Sequence, residues 1–168
     1  MHDITKKAPL GNMTGNRQIA IAATDEISAI RLTDINTKTV VFKQNRDFGV
    51  IEATDIRFGA PLEDGAYLHE VSCRLVSTQG KHNALFNRMK NKRWVVVVID
   101  NNNIAWLLGS LDEPLHFIWE HIGEEKPSGQ HCYELIFSRQ SSEPVYCAGS
   151  NYKIVHDLEE DSQAYCER

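Results

Sequence analysis

The chain has 168 residues, 42% of them hydrophobic, which is enough for one domain whose core needs neither disulfides nor a metal. Its formal net charge is −5 and its lysines and arginines are scattered, so we expect no specific contact with nucleic acid. No apolar run approaches the roughly 18 to 20 residues that span a bilayer, and residues 1–16 lack the apolar core of a signal peptide. We therefore expect synthesis in the cytoplasm and no membrane contact.

Residues 1–16 show no hydrophobic periodicity and contain Pro9, Gly11 and Gly15. They predict a flexible N-terminal arm that becomes ordered on a neighbour. Residues 17–156 are predicted to form a single β-rich domain, and residues 157–168 an acidic C-terminal tail.

The first half of the domain consists of short β-branched runs between polar turns, which predicts strands at 19–23, 27–32, 39–43 and 49–58. In the last of these, one face carries Ile56 and the other carries Ile51, and neither face is apolar throughout. This pattern favours an edge strand or a strand that pairs with another subunit. Ile51 and Ile56 are therefore candidate subunit-interface residues.

The alternation of residues 67–77 predicts a longer strand with this core face: Tyr67, His69, Val71, Cys73 and Leu75. We expect the histidine in this set to be a hydrogen-bonded core residue and not a ligand. The amphipathic run 82–92, with Leu85, Phe86 and Met89 on one stripe, predicts the single helix.

The most hydrophobic run of the chain, 93–100, is followed by three asparagines at 101–103 and a second apolar run at 104–110. Asparagine tolerates positive φ, so these runs predict a β-hairpin. Two further strands, 115–122 and 132–139, alternate so that the pair is predicted to be antiparallel with one buried and one mixed face.

The remaining segments are a polar, glycine-containing stretch at 123–130, which predicts an exposed loop, and short strands at 144–148 and 152–155. Together the elements predict a mainly β fold, a β-sandwich or barrel with a single short helix packed on it.

The sequence contains no P-loop, no glycine-rich dinucleotide motif, no HExxH, no GxSxG and no EF-hand loop. His116 and His121 point to opposite faces of a strand, and His131 lies on the neighbouring strand, so we expect no metal site. The acidic pairs at 124–125 and 159–160 are interpreted as solvated charges. We predict no enzyme, no catalytic residue and no cofactor.

The four cysteines have no CxxC or similar spacing, and we interpret them as small apolar residues of a reducing compartment, with one free thiol near the tail. They are Cys73, Cys132, Cys147 and Cys166.

Trp94, Trp106 and Trp119 fall on three successive predicted strands. Such aromatic residues are typical of cross-strand core pairs. Two other interpretations stay open, a platform on which a ligand stacks and the anchors of a subunit interface, where tryptophan is enriched. The three tryptophans are retained as candidate subunit-interface residues.

The segment WVVVVIDNNNIAWLLGSLDEPLHF, followed by a glycine-containing loop and HCYELIFSRQSSEPVY, resembles a block of uncharacterised prophage proteins of Bacteroides-type bacteria. The likeness covers most of residues 15–148. The chain departs from that group's Gly-Gly-Ile start, with Gly15, Asn16 and Arg17 in its place. The order of elements is also similar to that of tail-tube and related ring-forming proteins of tailed phages and contractile injection systems.

The resemblance implies a virion structural protein, a self-assembling ring or tube component of a phage tail or neck. Its partners would be copies of itself and other virion proteins, and it would be assembled in the cytoplasm of the bacterial host. An arm, open strand edges and mixed faces suit such a subunit. The alternatives are a neck or tail-completion adaptor that caps a tube, a ligand- or carbohydrate-binding β-sandwich, an ordinary monomeric sandwich and, weakest, a hydrolase without a recognisable motif.

Overall fold

A computed structural model describes residues 16–77, 82–122 and 131–149. These residues form two β-sheets, an α-helix and a short 3-10 helix at Thr24–Glu26, and neither sheet is closed into a barrel. The predicted mainly β fold with a single α-helix is confirmed, and the architecture is that of a β-sandwich.

The strands are numbered along the chain: β1 Asn16–Ala23, β2 Ile27–Asp34, β3 Thr37–Phe42, β4 Gly49–Ile51, β5 Thr54–Gly59, β6 Leu62–Glu63, β7 Ala66–Ser77, β8 Trp94–Asp100, β9 Ala105–Leu108, β10 His116–Ile122, β11 His131–Ser141 and β12 Tyr146–Ala148. Helix α1 is His82–Lys90. Sheet A has the order β2-β3-β12-β9-β8-β1-β4, and sheet B the order β10-β11-β7-β5, with β6 also paired to β7. All pairs are antiparallel except β3 with β12.

The predicted hairpin is confirmed, because β8 and β9 pair from Val96 opposite Leu108 to Ile99 opposite Ala105. In its turn Asn103 adopts a φ of 61°, a left-handed conformation that asparagine tolerates better than most residues.

Strand β8 is buried on both faces, which explains why its sequence is a continuous apolar run and does not alternate. One set of its side chains lies in the core between the two sheets: Trp94, Val96 and Val98. The other set lies in a second core on the opposite face of sheet A: Val95, Val97 and Ile99.

The second core exists because sheet A curls strongly. Four strands separate β1 from β2 in the sheet, yet only the three-residue 3-10 helix joins them along the chain. The sheet must therefore bend round until β2 and β3 lie over β1 and β8. The gap is filled by apolar residues that include Ile27, Val40 and Phe48.

The predicted single strand at 49–58 is wrong. Residues Gly49–Ile51 pair with β1 in sheet A, whereas Thr54–Gly59 pair with β7 in sheet B. The chain changes sheet just before Asp55, whose φ is 50°. Ile51 and Ile56 therefore belong to different sheets, and this is why no single face of the segment is apolar.

The predicted faces of sheet B are confirmed. On β7 the residues His69, Val71 and Cys73 are buried, and β10 and β11 pair antiparallel with Phe117 opposite Phe137. The alternate residues of these strands form the opposite face of the sheet, which points away from the sandwich core.

Helix α1 ends at Lys90, two residues before the predicted end. Phe86 and Met89 are buried in the sandwich core as predicted, but Leu85 is exposed, because it lies one residue outside the inward-facing stripe.

Four predicted segments lie outside the described residues: the arm as far as residue 15, the loop at 123–130, the strand at 152–155 and the acidic tail. Asn16 was assigned to the arm, but it is the first residue of β1.

Candidate interaction surface

Two of the candidate interface residues, Trp94 and Ile56, are buried in the sandwich core. The indole Nε1 of Trp94 donates a hydrogen bond to the Met89 carbonyl at 3.0 Å, and the ring packs edge-on against Phe137. Both side chains pack mainly within their own chain in this structure, and their assignment to a subunit interface stays a prediction.

The other three candidates, Ile51, Trp106 and Trp119, are partly buried at the margin of the same core. Trp106 donates from Nε1 to Asp100 Oδ2 at 3.2 Å, and Trp119 packs against Phe86 with ring centroids 5.5 Å apart. Trp94 and Trp106 belong to sheet A, whereas Trp119 belongs to sheet B. The tryptophans therefore do not form a common platform, and their contacts are those of core residues.

His69 is a hydrogen-bonded core histidine, as predicted. Its Nε2 lies 2.8 Å from the Glu143 carbonyl, and its Nδ1 accepts the backbone N–H of Gly109 at 3.4 Å. Nε2–H is therefore the donor and the ring is neutral. Burial lowers the pKa of His69, which agrees with this tautomer.

The thiols of Cys73 and Cys147 have raised pKa values and are unreactive. Burial raises the pKa of Cys73 to about 12, and burial with the nearby Asp100 carboxylate raises that of Cys147. Both thiols are protonated at neutral pH and are poor nucleophiles or metal ligands. In the described ranges no three histidine, cysteine or acidic side chains lie close enough together to hold a metal ion. Cys166, the side chain of His131 and the acidic pairs at 124–125 and 159–160 lie outside the described residues.

The outer face of sheet B is the broadest candidate surface. We define it by the outward residues of its three long strands: His116, Ile118, Glu120 and Ile122 on β10, Cys132, Glu134, Ile136 and Ser138 on β11, and Glu70, Ser72, Arg74 and Val76 on β7. Val76 is 52% exposed and Ile118 is 47% exposed. Apolar and charged side chains alternate along the face, as is typical of a surface that contacts another protein.

The alternation along the strands predicts that this face is mixed, but its exposed apolar residues were not among the predicted subunit-interface residues. The available signal was the spacing of Ile118, Ile122 and Val76, which all fall on the side opposite to the predicted core. Their alignment in neighbouring strands depends on the register between β10, β11 and β7, and the sequence does not specify that register.

A second exposed apolar site lies at the tip of the β2–β3 hairpin. Leu32, near the end of β2, and Ile35, in the turn at 35–36, are both exposed there. This tip belongs to sheet A, whereas the outer face belongs to sheet B. The molecule therefore has two separate apolar surfaces.

A groove of about 790 Å³ runs beside edge strand β4. Ile21, Ile51, Ala53 and Trp94 supply apolar lining, and its charged lining residues are Arg17, Glu26, Arg46, Asp47 and Glu52. Arg46 and Glu26 form an ion pair at 3.5 Å. Burial raises the pKa of Asp47, against the opposing effect of its hydrogen bond from the Phe48 N–H. The groove can bind a small ligand or an extended peptide with both apolar and charged groups.

Compared with protein-family models, curated proteins and solved structures, the chain matches none. Neither helix in the described part of the chain has the length and apolar character that a membrane span requires.

Proposed function

We propose that the protein is a non-enzymatic structural subunit that assembles with copies of itself into a ring or tube of a phage tail or neck. The observation that carries the proposal is the outer face of sheet B, where Ile118 on β10 and Val76 on β7, on either side of β11, are about half exposed. Such a surface is costly for a permanent monomer, because exposed apolar patches promote association.

The tip of the β2–β3 hairpin supports the same function. A subunit of a ring or a stacked tube contacts more than one neighbour, so it needs at least two separate surfaces. Leu32 and Ile35 supply a second apolar surface on the other sheet. In this proposal the partners are copies of the chain and other virion proteins, and the place of action is the virion.

The test is the mass of the purified full chain over a concentration series, with negative-stain imaging of the same samples. We expect species larger than 19.1 kDa that increase with concentration, and rings or tubes in the images. Rings that do not stack would favour the adaptor that caps a tube. A strict monomer at every concentration, also after mixing with tail and neck proteins, would overturn the proposal.

The groove beside β4 supports a second candidate function, a ligand-binding or carbohydrate-binding β-sandwich. Its apolar lining, which includes Ile21, Ile51 and Ala53, lies beside charged residues, a combination that suits a polar ligand with an apolar face. Titration of a panel of oligosaccharides should then shift the tryptophan fluorescence, and Arg46→Ala should weaken the shift. An unchanged spectrum across the panel would reject the carbohydrate ligand.

A further inference from the structure

The outer face of sheet B is arranged in four rows that cross its strands. The register sets these rows as Ile122–Cys132–Val76, Glu120–Glu134–Arg74, Ile118–Ile136–Ser72 and His116–Ser138–Glu70. In each row the first residue lies on β10, the second on β11 and the third on β7. Strand β11 is therefore the centre line of the face.

One symmetry operation places complementary side chains of two copies of this face opposite each other. A two-fold axis along β11, in the plane between two stacked copies, places β10 of one copy over β7 of the other and keeps each row in line. Glu120 then faces Arg74 of the second copy, and Ile122 faces its Val76. Each contact occurs twice, as in every isologous interface.

The same operation also matches the remaining rows. His116 faces Glu70 of the second copy, while Ile136 meets its own counterpart on the axis. The acidic Glu120 thus meets a cation. Glu70 meets a neutral imidazole at pH 7, because burial and the nearby Arg93 and Arg139 lower the pKa of His116, so this contact is polar and not an ion pair.

We propose that the outer face of sheet B docks on the same face of a second copy, with the two-fold axis along β11. This inference rests on the proposed self-association and specifies which surface makes one of its contacts. The two sheets would stack through side chains at roughly 10 Å, as the sheets of a sandwich do.

One contact on the axis is unfavourable by itself. Glu134 meets Glu134 of the second copy, and like charges repel. Each Glu134 lies directly beside Arg74 of its own chain, and Arg74 of both copies flanks the pair. Each Arg74 also pairs with Asp55 of its own chain at 3.4 Å, so the two cations offset only part of the repulsion, and Arg74 is the central cation of the interface.

The expected association is weak. Three strands about 4.8 Å apart and seven residues long cover roughly 340 Å² per copy, less than half of the roughly 800 Å² per partner of a standard interface. A crossing angle of about 30° between the sheets displaces the contacts of Glu120 with Arg74 by roughly 3 Å, which these long side chains can bridge, and the contacts of the two end rows by roughly 6 Å. The contact is thus suited to a subunit that is held in place by several neighbours.

The test is the dimerisation constant of the full chain by sedimentation equilibrium in wild type, Glu120→Arg, Arg74→Glu and the double variant. Each single change creates two like-charge contacts across the axis and should raise the Kd about tenfold or more. The double variant restores opposite charges and should return to within about threefold of wild type. Thermal unfolding of every variant checks that the fold is kept.

Lys92→Glu is the matched control. The side chains of Lys92 and Arg74 are both 46% exposed, and each forms an exposed ion pair with an aspartate, Asp25 and Asp55 respectively. Lys92 lies outside sheet B, so its reversal should leave the Kd unchanged. If the Lys92 and Arg74 variants weaken association equally, the effect is one of net charge and the proposed interface is wrong.

Cys132 gives an independent readout, because the axis brings it opposite Cys132 of the second copy. A short bismaleimide should therefore cross-link wild type to a dimer, and Cys132→Ser should abolish the cross-link. Association that persists in both charge variants without this cross-link would overturn the face assignment and leave self-association intact. A wild-type chain that stays monomeric at every concentration would overturn this inference, and one that also stays monomeric after mixing with tail and neck proteins would overturn the proposed function as well.

Discussion

Among the described residues, Asp100 is the one buried carboxylate. Its Oδ1 accepts the backbone N–H groups of Asn102 at 2.8 Å and Ile104 at 2.9 Å, and its Oδ2 accepts Trp106 Nε1 at 3.2 Å. The carboxylate closes the asparagine turn and also fixes the indole of the next strand. Three donors thus compensate for the removal of one charge from water.

Asp100→Ala should lower the free energy of unfolding by about 2–4 kcal/mol, because it leaves these donors without their acceptor. Asp100→Asn should cost less, about 1–2 kcal/mol, since it keeps one acceptor oxygen and loses the bond to Trp106. Urea denaturation measures both. Asp112→Ala, at an exposed position, is the control and should change little; a loss as large as that of Asp100→Ala would contradict the capping role.

His69 makes stability depend on pH. Burial holds its pKa below the ordinary value of 6.5, so the unfolded chain takes up this proton before the folded chain does. The free energy of unfolding should be highest above pH 6.5 and fall as the pH drops below it. Glu113, whose pKa is lowered by hydrogen bonds from Ser141 and Ser142, adds a further loss in the same direction below pH 4.5.

His69→Gln should lose less stability than wild type between pH 7.5 and pH 5.5. The comparison is made by urea denaturation at the two pH values. The pKa of His116 is also lowered, but this side chain is exposed, so His116→Gln should remove a smaller part of the dependence. An unchanged dependence in His69→Gln would show that the buried ring is not its source.

At the scale of elements, helix α1 packs on strands β10 and β11 of the sandwich mainly through the aromatic ring of Phe86. The ring of Phe86 lies 6.1 Å from that of Phe117, 5.5 Å from that of Trp119 and 5.4 Å from that of Tyr133. These rings come from both β10 and β11. The helix therefore holds edge strand β10 and its neighbour β11 against the core.

Phe86→Ala should destabilise the protein by about 3–5 kcal/mol, because the cavity would remove contacts with all three rings. The neighbouring Leu85 is the matched control, since it is 46% exposed whereas Phe86 is 3% exposed. Leu85→Ala should cost less than about 1 kcal/mol. Equal losses in thermal or urea unfolding would mean that the helix contributes through its backbone and not through this ring.

The elements that the sequence predicts well are those with local signals. The β8–β9 hairpin combines two apolar runs with a turn of three asparagines, and each feature is visible without knowledge of the partner strands. The break between β4 and β5 was missed because no glycine or proline stands there, and Asp55 takes the left-handed conformation that usually identifies glycine.

At the scale of the whole molecule, β8 links the two cores. Val96 faces the core between the sheets and Val97 faces the core inside the curl of sheet A. Loss of packing on either side acts on the same strand. The two cores should therefore unfold together.

Val96→Ala and Val97→Ala should each lower the same single transition, by about 1–3 kcal/mol. Coincident curves from tryptophan fluorescence and far-ultraviolet circular dichroism would establish this. Val41→Ala, at an exposed position on β3, should have little effect. A separate transition for Val97→Ala alone would mean that the curled part of sheet A is an independent folding unit.

The sequence alone predicts neither the curl of sheet A nor the candidate interface on sheet B. Both depend on pairings between distant segments, β12 with β3 and β9 in one case and β10, β11 and β7 in the other. Hydrophobic periodicity shows which side chains point the same way on one strand, but not which residues on other strands stand beside them.

The position of β12 has a consequence for biosynthesis. This strand lies between β3 and β9 in sheet A, yet it is the last described strand to be made. Until residues 146–148 have left the ribosome, the β2–β3 hairpin lacks the backbone pairing with β12 that connects it to the other strands of sheet A. A nascent chain arrested before Tyr146 should thus remain open to proteases, and it should become resistant once the segment leaves the exit tunnel.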